Sequence, residues 1–397
     1  MKDKMFSRKY FSNKRGNKMH IIIYSHSPFS PSGYGQQTRQ LAEQLINSGF
    51  EVSIVAIDYH ASPQQIGPIK LLPTRLKLHE SYHDLYYWAW KLKADKVIQL
   101  FDAHAIAKTW IKEDDIPVLT MNPVDCQGMP RNFIKSCKNS YLHIAMSPFA
   151  QRAFEKHHLF PNTYIPHCVD TEFYTPPPEG NNGAKSNLGL PINSFVFGMI
   201  ATNLTIRKNI AGQLQAFRNF LDITEAQDCF FYLHTLASEV IGSAYGIKHL
   251  VESLGLQDYV RIPEQQRYLL HDFSQEDMKK IYQSFDVLMS CSMGEGFGVP
   301  IIEAQATGCP VITTDFSAMP HTCGNGGIKI KNYTLLCDSG HMGWWANPDI
   351  KEITKAMIEL YQKDSIEFDK LSGKALENAK TYDWKLWIPK WIKLLKE

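Results

Sequence analysis

The sequence predicts an α/β protein made of two doubly wound, parallel-sheet domains in tandem, and three observations lead there. Short β-rich apolar runs alternate with amphipathic helical segments through both halves of the chain. The 397 residues, 44% of them hydrophobic, exceed one ordinary core, and suit two domains of roughly 200 residues each. A Pro/Gly/Asn-rich stretch, residues 176–191, separates the two sets and has the composition of a linker.

Taken in order, residues 1–18 carry Lys2, Lys4, Arg8, Lys9, Lys14, Arg15 and Lys18 against Asp3, which reads as a basic, solvated tail. Residues 20–24, His-Ile-Ile-Ile-Tyr, form the first strand and run into a Ser/Pro/Gly loop, 25–35. In 36–47, Leu41, Leu45 and Ile46 share one helical face and Gly49 stops the helix. The β-branched run 51–57 then completes a βαβ unit. The rhythm continues with strands at 96–101, 117–121 and 142–146 and helices at 103–111 and 148–157. The second set has strands at 195–201, 229–235, 286–290 and 310–314, with helices at 210–221, 245–254 and 299–307. From Asp383 onward, Trp384, Trp387 and Trp391 fall at helical spacing around Pro389, a kinked helix packing its aromatic face on the protein.

Bulk properties exclude several function classes. A net charge of +2, from 42 basic and 40 acidic side chains, supplies no global field for nucleic acid. Any anionic ligand must be met locally. The eight cysteines form no Cys-x-x-Cys pair and no Cys/His cluster at zinc spacing, so no metal site is expected and the thiols read as reduced and mostly buried. No apolar run nears the ~20 residues that span a bilayer, and the amino terminus has no apolar signal stretch. The expectation is a cytoplasmic protein. Peripheral contact with the inner membrane face stays open through the basic tail, the terminal tryptophans and the aromatic-basic segment 81–93, although core packing is favoured for the aromatic residues.

In open parallel sheets ligands bind beyond the carboxyl ends of the strands, so the strand-to-helix loops hold the candidate residues. The richest is 290–310, where Gly294, Gly296 and Gly298 permit tight turns and close approach to the main chain. Pro300 suits a helix start, and amides of Gly298 and Val299 would face an anion there. Glu295 and Glu303 point into one crevice in this reading; carboxylates beside a phosphate suit hydroxyls, as sugars offer. The loop 203–209, with Arg207 and Lys208 at a strand end, suits a diphosphate clamp. A third loop, with Gly33, Tyr34 and Gly35, follows the first strand.

Glu-x7-Glu with an interior Gly-Phe-Gly and a following Glu-Ala-x-Ala-x-Gly-x-Pro-Val resembles the signature of glycosyltransferase family 4, retaining enzymes of the GT-B fold. The likeness runs from Met19 to the terminal tryptophans and is most specific after the linker. It implies two Rossmann-like domains facing across a cleft: 19–180 for the acceptor, 181–375 for the sugar nucleotide, and a helix in 376–397 crossing back toward the first domain. It further implies that Glu303 binds the ribose and that Glu295, with the amides of Phe297 and Gly298, holds the donor sugar. Arg207 and Lys208 neutralise the diphosphate in place of a metal, with Asn203 and Val299 also on the donor side. Gly33, Tyr34, Gly35, His104, Asn122 and Asp125 line the acceptor or phosphate side. The sequence departs from the family at Asn203, where Arg is common, at Asn122, which stands where many members have His, and at His321, where Glu often follows the proline.

The implied reaction moves a hexose from a UDP- or GDP-linked donor to the hydroxyl of a glycan, lipid or small molecule, with no cofactor and no nucleic-acid partner. Rival readings are a non-catalytic nucleotide-sugar-binding protein and a GT-B-fold epimerase or phosphorylase. A dinucleotide dehydrogenase is disfavoured, since no Gly-x-Gly-x-x-Gly follows a strand.

Overall fold

The computed structural model describes residues 18–75, 81–102, 116–138, 140–178, 180–237, 244–337 and 343–397. Contacts divide the chain into two units. One comprises the described residues up to Val124, Met129–His167 and Trp384–Glu397; the other comprises Asp125–Gly128 and Cys168–Asp383.

The first unit is built on β1 (His20–Ser25), β2 (Glu51–Ala56), β3 (Gln64–Ile66), β4 (Ile69–Pro73), β5 (Lys96–Leu100), β6 (Val118–Met121), β7 (Leu142–Ala145) and β8 (Asn162–Tyr164). They lie in the order β3-β4-β2-β1-β5-β6-β7-β8, parallel except for the β3–β4 pair. Ile21, Ile22 and Ile23 of β1 are all fully buried, the mark of a strand covered on both faces. β1 pairs with β2 in the register Ile21↔Val52 and Ile23↔Ile54, and with β5 on its other side. Strand order therefore reverses between β1 and β5.

The second unit contains β9 (Phe195–Ile200), β10 (Cys229–His234), β11 (Val260–Arg261), β12 (Val287–Ser290), β13 (Val311–Thr314) and β14 (Gly327–Ile330). Their order is β11-β10-β9-β12-β13-β14, parallel throughout, with the reversal between β9 and β12. Phe197, Phe217, Phe220 and Phe231 meet in its core, so β9 and β10 bury aromatic side chains against helix Ile210–Thr224. An antiparallel pair, β15 (Tyr333–Cys337) and β16 (Trp344–Pro348), stands apart from the sheet.

Every strand expected from the sequence is present to within two residues at either end. The short strands β3, β4, β8, β11, β14, β15 and β16 were not foreseen. The helix expected at 103–111 lies outside the described residues. Residues 176–191, expected as the linker, group with the second unit, whose long stretch begins at Cys168. One carboxylate pins that stretch: Asp286 accepts from Asn181 Nδ2 at 2.6 Å and from the amide of Val196 at 2.7 Å, and pairs with buried Lys185 at 2.8 Å. Turn-forming composition looks like a tether until such an anchor is seen.

The terminal tryptophans form one helix, Trp384–Lys396, with Pro389 inside it, and this helix groups with the first unit. Trp384 and Trp391 are buried, and Trp384 Nε1 donates to Gln40 Oε1 at 3.0 Å. Lys96 Nζ in β5 donates to the Leu394 carbonyl in the last turn of the helix at 3.1 Å, and Lys390 Nζ donates to the Tyr164 carbonyl in β8 at 2.7 Å, so the helix is bonded to two strands of the first sheet. The aromatic segment 81–93 splits its roles along helix Tyr82–Lys91: Leu85 and Trp88 are buried, while Tyr87 and Trp90 are exposed. Among the described residues no helix is long and apolar enough to cross a membrane.

Candidate functional site

In the second unit the switch point lies between β9 and β12, and the loops leaving those two strands carry the charged residues singled out above. After β9 the chain turns through a short 3-10 segment, Ile206–Lys208, and Asn209 at φ 52° starts helix Ile210–Thr224. Asparagine tolerates this left-handed backbone better than most residues. Its side chain donates to the carbonyl of Cys291 at 3.1 Å, and Gln213 accepts from the Cys291 amide at 3.1 Å while donating to the Lys208 carbonyl at 2.9 Å. Two amide side chains thus tie the β9 loop to the β12 loop.

Across that tie sits a four-charge cluster. Arg207 Nη1 donates to Glu295 Oε2 at 2.9 Å and to the Gly294 carbonyl at 2.5 Å, and Lys208 Nζ donates to Glu295 Oε1 at 2.7 Å. Asp125 pairs with Arg207 Nε at 3.6 Å. Burial alone would push the Glu295 carboxyl up, but Arg207 and Lys208 outweigh it and hold it at about 2, from an ordinary 4.5. Burial also pulls Lys208 down, against the attraction of Glu295. Glu295 is further fixed by its own amide, which donates to Ser317 Oγ at 2.9 Å.

Gly298, at φ 91°, caps helix Val299–Ala306: its carbonyl accepts from the Ile301 amide at 2.9 Å, and Pro300 in the first turn has no N–H to leave unpaired. Phe297 and Val299 are buried beside it, and Thr322 Oγ1 donates to the Phe297 carbonyl at 2.8 Å. Glu303, on the same helix, is buried and accepts from Tyr282 Oη at 2.6 Å. The two glutamates therefore have different partners: Glu295 holds cations, Glu303 a phenol.

Three further candidates have partners within the protein. Asn203 was assigned to the donor, yet its side chain is spent within the unit: Nδ2 donates to the carbonyls of Tyr245 (2.7 Å) and Leu236 (3.3 Å), and Oδ1 accepts from the Tyr245 amide (3.1 Å). A buried amide that satisfies both ends locally shapes a loop. Asp125, assigned to the acceptor or phosphate side, groups with the second unit and pairs with Arg207. Its segment lies against the β12 loop, where a side chain at Gly294 would overlap the Asp125 carbonyl, and Gln127 and Trp344 exchange amide-carbonyl bonds at 2.9 Å. Asn122 is buried in the first unit and donates to the Phe101 carbonyl at 2.5 Å.

His104 lies outside the described residues. Gly33 and Gly35 open helix Gly33–Asn47, where Ser32 Oγ accepts from the Gly35 amide at 3.1 Å. A Cβ at Gly35 would overlap the carbonyls of Ser27 and Ser30, so only glycine fits. Tyr34 packs on His26 and Phe101. Sequence reasoning did not find Asn209, Gln213, Tyr282, Ser317 or His26. The polar hydrogen bonds of the first four span up to 82 positions in sequence and leave no local pattern.

Comparison with known proteins agrees with this architecture. The family model for "Glycosyl transferases group 1" matches residues 235–363, less than half of the chain. The chain is 24% identical over 230 residues to D-inositol 3-phosphate glycosyltransferase of Corynebacterium glutamicum, a match covering 54% of this chain and 47% of that one. It thus spans about half the length of that curated relative. Among solved structures, sucrose-phosphate synthase from Thermosynechococcus elongatus superposes with a TM-score of 0.75 at 15% identity, over 96% of this chain and 98% of that one. Anabaena HepE, solved in complex with UDP and glucose, superposes with a TM-score of 0.68 at 15% identity, over 95% of this chain and 99% of that one. At such identities the likeness is one of fold: the chain has the GT-B fold. Residues 235–363 are thus similar to the group 1 glycosyltransferases.

Proposed function

We propose that the chain is a retaining glycosyltransferase of family 4 that moves a hexose from a UDP- or GDP-linked donor to an acceptor hydroxyl without a metal ion. The observation that carries this reading is the pairing of Arg207 and Lys208 with Glu295 at the switch point of the second sheet, beside the helix that starts after Gly298. A departing nucleoside diphosphate carries growing negative charge. Two cations held in place beside the positive end of a helix stabilise that charge with little reorganisation.

In this reading Glu295 has a second task besides meeting the sugar. Its oxygens each take one cation, so it orients Arg207 and Lys208 before the donor arrives, and the remaining lone pairs serve sugar hydroxyls. Glu303, braced by Tyr282, takes the ribose hydroxyls. Charge in the cluster balances at two cations against Glu295 and Asp125, so a bound diphosphate adds the negative charge that the helix end accommodates. The acceptor's proton leaves on the departing phosphate, so no protein base is demanded.

The test is donor turnover. Incubation with UDP-glucose or GDP-mannose and a panel of hydroxyl acceptors should release the nucleoside diphosphate and form an α-linked product, with activity intact in EDTA. Tight nucleotide binding without turnover on any pair would favour the non-catalytic reading. Loss of activity in chelator, restored by a divalent ion, would remove the metal-free mechanism.

A further inference from the structure

The first unit has its own switch point, between β1 and β5, and a histidine that sequence reasoning passed over stands there. His26 directly follows β1, Asp58 lies two residues past β2 and Phe101 directly follows β5, so three adjacent strands deliver residues from just beyond their carboxyl ends to one place. His26 Nδ1 lies 3.1 Å from Asp58 Oδ2 and 3.3 Å from Ser30 Oγ. Asp58 Oδ1 accepts from the Ser27 amide at 2.6 Å, so the carboxylate is held from two sides. Ser30 Oγ and Ser32 Oγ are 2.9 Å apart, and Ser32 in turn caps the Gly35 amide, which ties the imidazole into the loop that glycine alone allows.

The ring is also held by its faces. It stacks on Tyr34 with centroids 5.6 Å apart and 16° between planes, and it packs on Phe101 at 5.1 Å. Burial raises the Asp58 carboxyl, but the bonds from His26 and Ser27 outweigh it and keep it ionised. A carboxylate can only accept, so Nδ1 must carry the hydrogen, and in the neutral ring Nε2 is left with its lone pair. Among the described residues Nε2 makes no hydrogen bond, and the side chain keeps 23% of its surface open.

A ring nailed down at one nitrogen and open at the other is built to receive a hydroxyl. We propose that His26, oriented by Asp58, is a substrate-binding residue of the first unit. Its Nε2 accepts a hydrogen bond from a hydroxyl of a sugar or polyol acceptor. The inference deepens the transferase reading above and rests on it for the word acceptor; the arrangement of the imidazole stands without it. His26 orients the hydroxyl and takes no proton in the reaction, so the hydrogen bond forms and breaks with no change in bonding at the ring.

The experiment separates the two claims. In protein labelled with nitrogen-15 in histidine, the His26 ring is identified by the signal missing in His26→Gln, and its tautomer is read from long-range proton-nitrogen correlations. The wild type should show hydrogen on Nδ1. Asp58→Asn, which can donate to Nδ1, should move it to Nε2. Hydrogen on Nε2 in the wild type overturns the proposal whatever the enzyme does. With UDP-glucose or GDP-mannose as donor and glucose, mannose and myo-inositol as acceptor probes, kcat/KM for the acceptor should fall at least tenfold in His26→Ala. It should recover within about threefold of wild type in His26→Gln, whose amide oxygen reaches the place of Nε2. UDP affinity by calorimetry should not change in either variant. Wild-type acceptor kinetics in His26→Ala overturn the proposal. If no donor and probe react even with the native protein, the transferase reading fails, and the response of the His26 Nε2 signal to the same probes still decides whether hydroxyls bind there.

Discussion

At the scale of single residues, the cluster at the second switch point has a thermodynamic signature. Lowering the Glu295 carboxyl from 4.5 to about 2 corresponds to roughly 3 kcal/mol of stability contributed by its ionised form. The folded value is the depressed one, so this contribution is complete above pH 4.5 and disappears as pH falls toward 2. Glu295→Gln should therefore be less stable than wild type by a few kcal/mol at pH 7, with the gap closing as denaturation curves are taken to lower pH. A pH-independent gap would show that packing, not charge, carries the effect. Arg207→Ala should weaken UDP binding about tenfold to a hundredfold, the worth of one charge-assisted hydrogen bond to phosphate; calorimetry reads it directly. Residue types and loops were legible in the sequence here, because Arg207, Lys208 and Glu295 follow strands. Their mutual ion pairs were not, since 87 positions separate Lys208 from Glu295. Nor were the partners of Asn203: a position read as lying on the donor side also bonds Tyr245, 42 positions away, through both ends of its amide.

At the scale of elements, most central strands announce themselves and edge strands do not; β4, Ile-Lys-Leu-Leu-Pro, is an interior strand that went unforeseen. β1 and β9 are near-continuous apolar runs because helices cover both faces. β3, Gln-Gln-Ile, and β8, Asn-Thr-Tyr, lie at the two edges and have no such pattern. Loops are tested through their glycines. Gly35→Ala should lower stability by about 1–3 kcal/mol and disturb the His26 loop, because the new methyl meets backbone carbonyls that cannot rotate away. Thermal unfolding together with acceptor kinetics checks both effects. Gly298→Ala meets a softer obstacle, the end of Ile301, but its φ of 91° is unfavourable to any side chain. A loss of about 1–2 kcal/mol is expected, with donor affinity falling more than acceptor affinity.

At the scale of the whole molecule, each unit has its own core and each is assembled from separated stretches of chain. Two calorimetric transitions are expected. UDP at a hundredfold excess over its Kd should raise one of them by the equivalent of about 2.7 kcal/mol, and Trp384→Ala should lower the other, because that indole bonds Gln40. A single transition that responds to both would contradict independent cores. A chain ending at residue 383 should lose the first unit's transition altogether, since Trp391 and Leu395 leave an apolar groove open.

Residues 125–128 follow β6 in the chain yet pack with the second unit, where Asp125 meets Arg207 and Gln127 pairs with Trp344. Inheritance of donor preference is consequently not a matter of one contiguous gene segment. A recombination event that exchanged everything after residue 167 would import a new cation pair but leave behind the four residues fitted to the old one. Productive hybrids between relatives should be those in which this tetrapeptide travels with its distant partner, and a library of crossovers scored for folded, nucleotide-binding progeny would reveal that linkage.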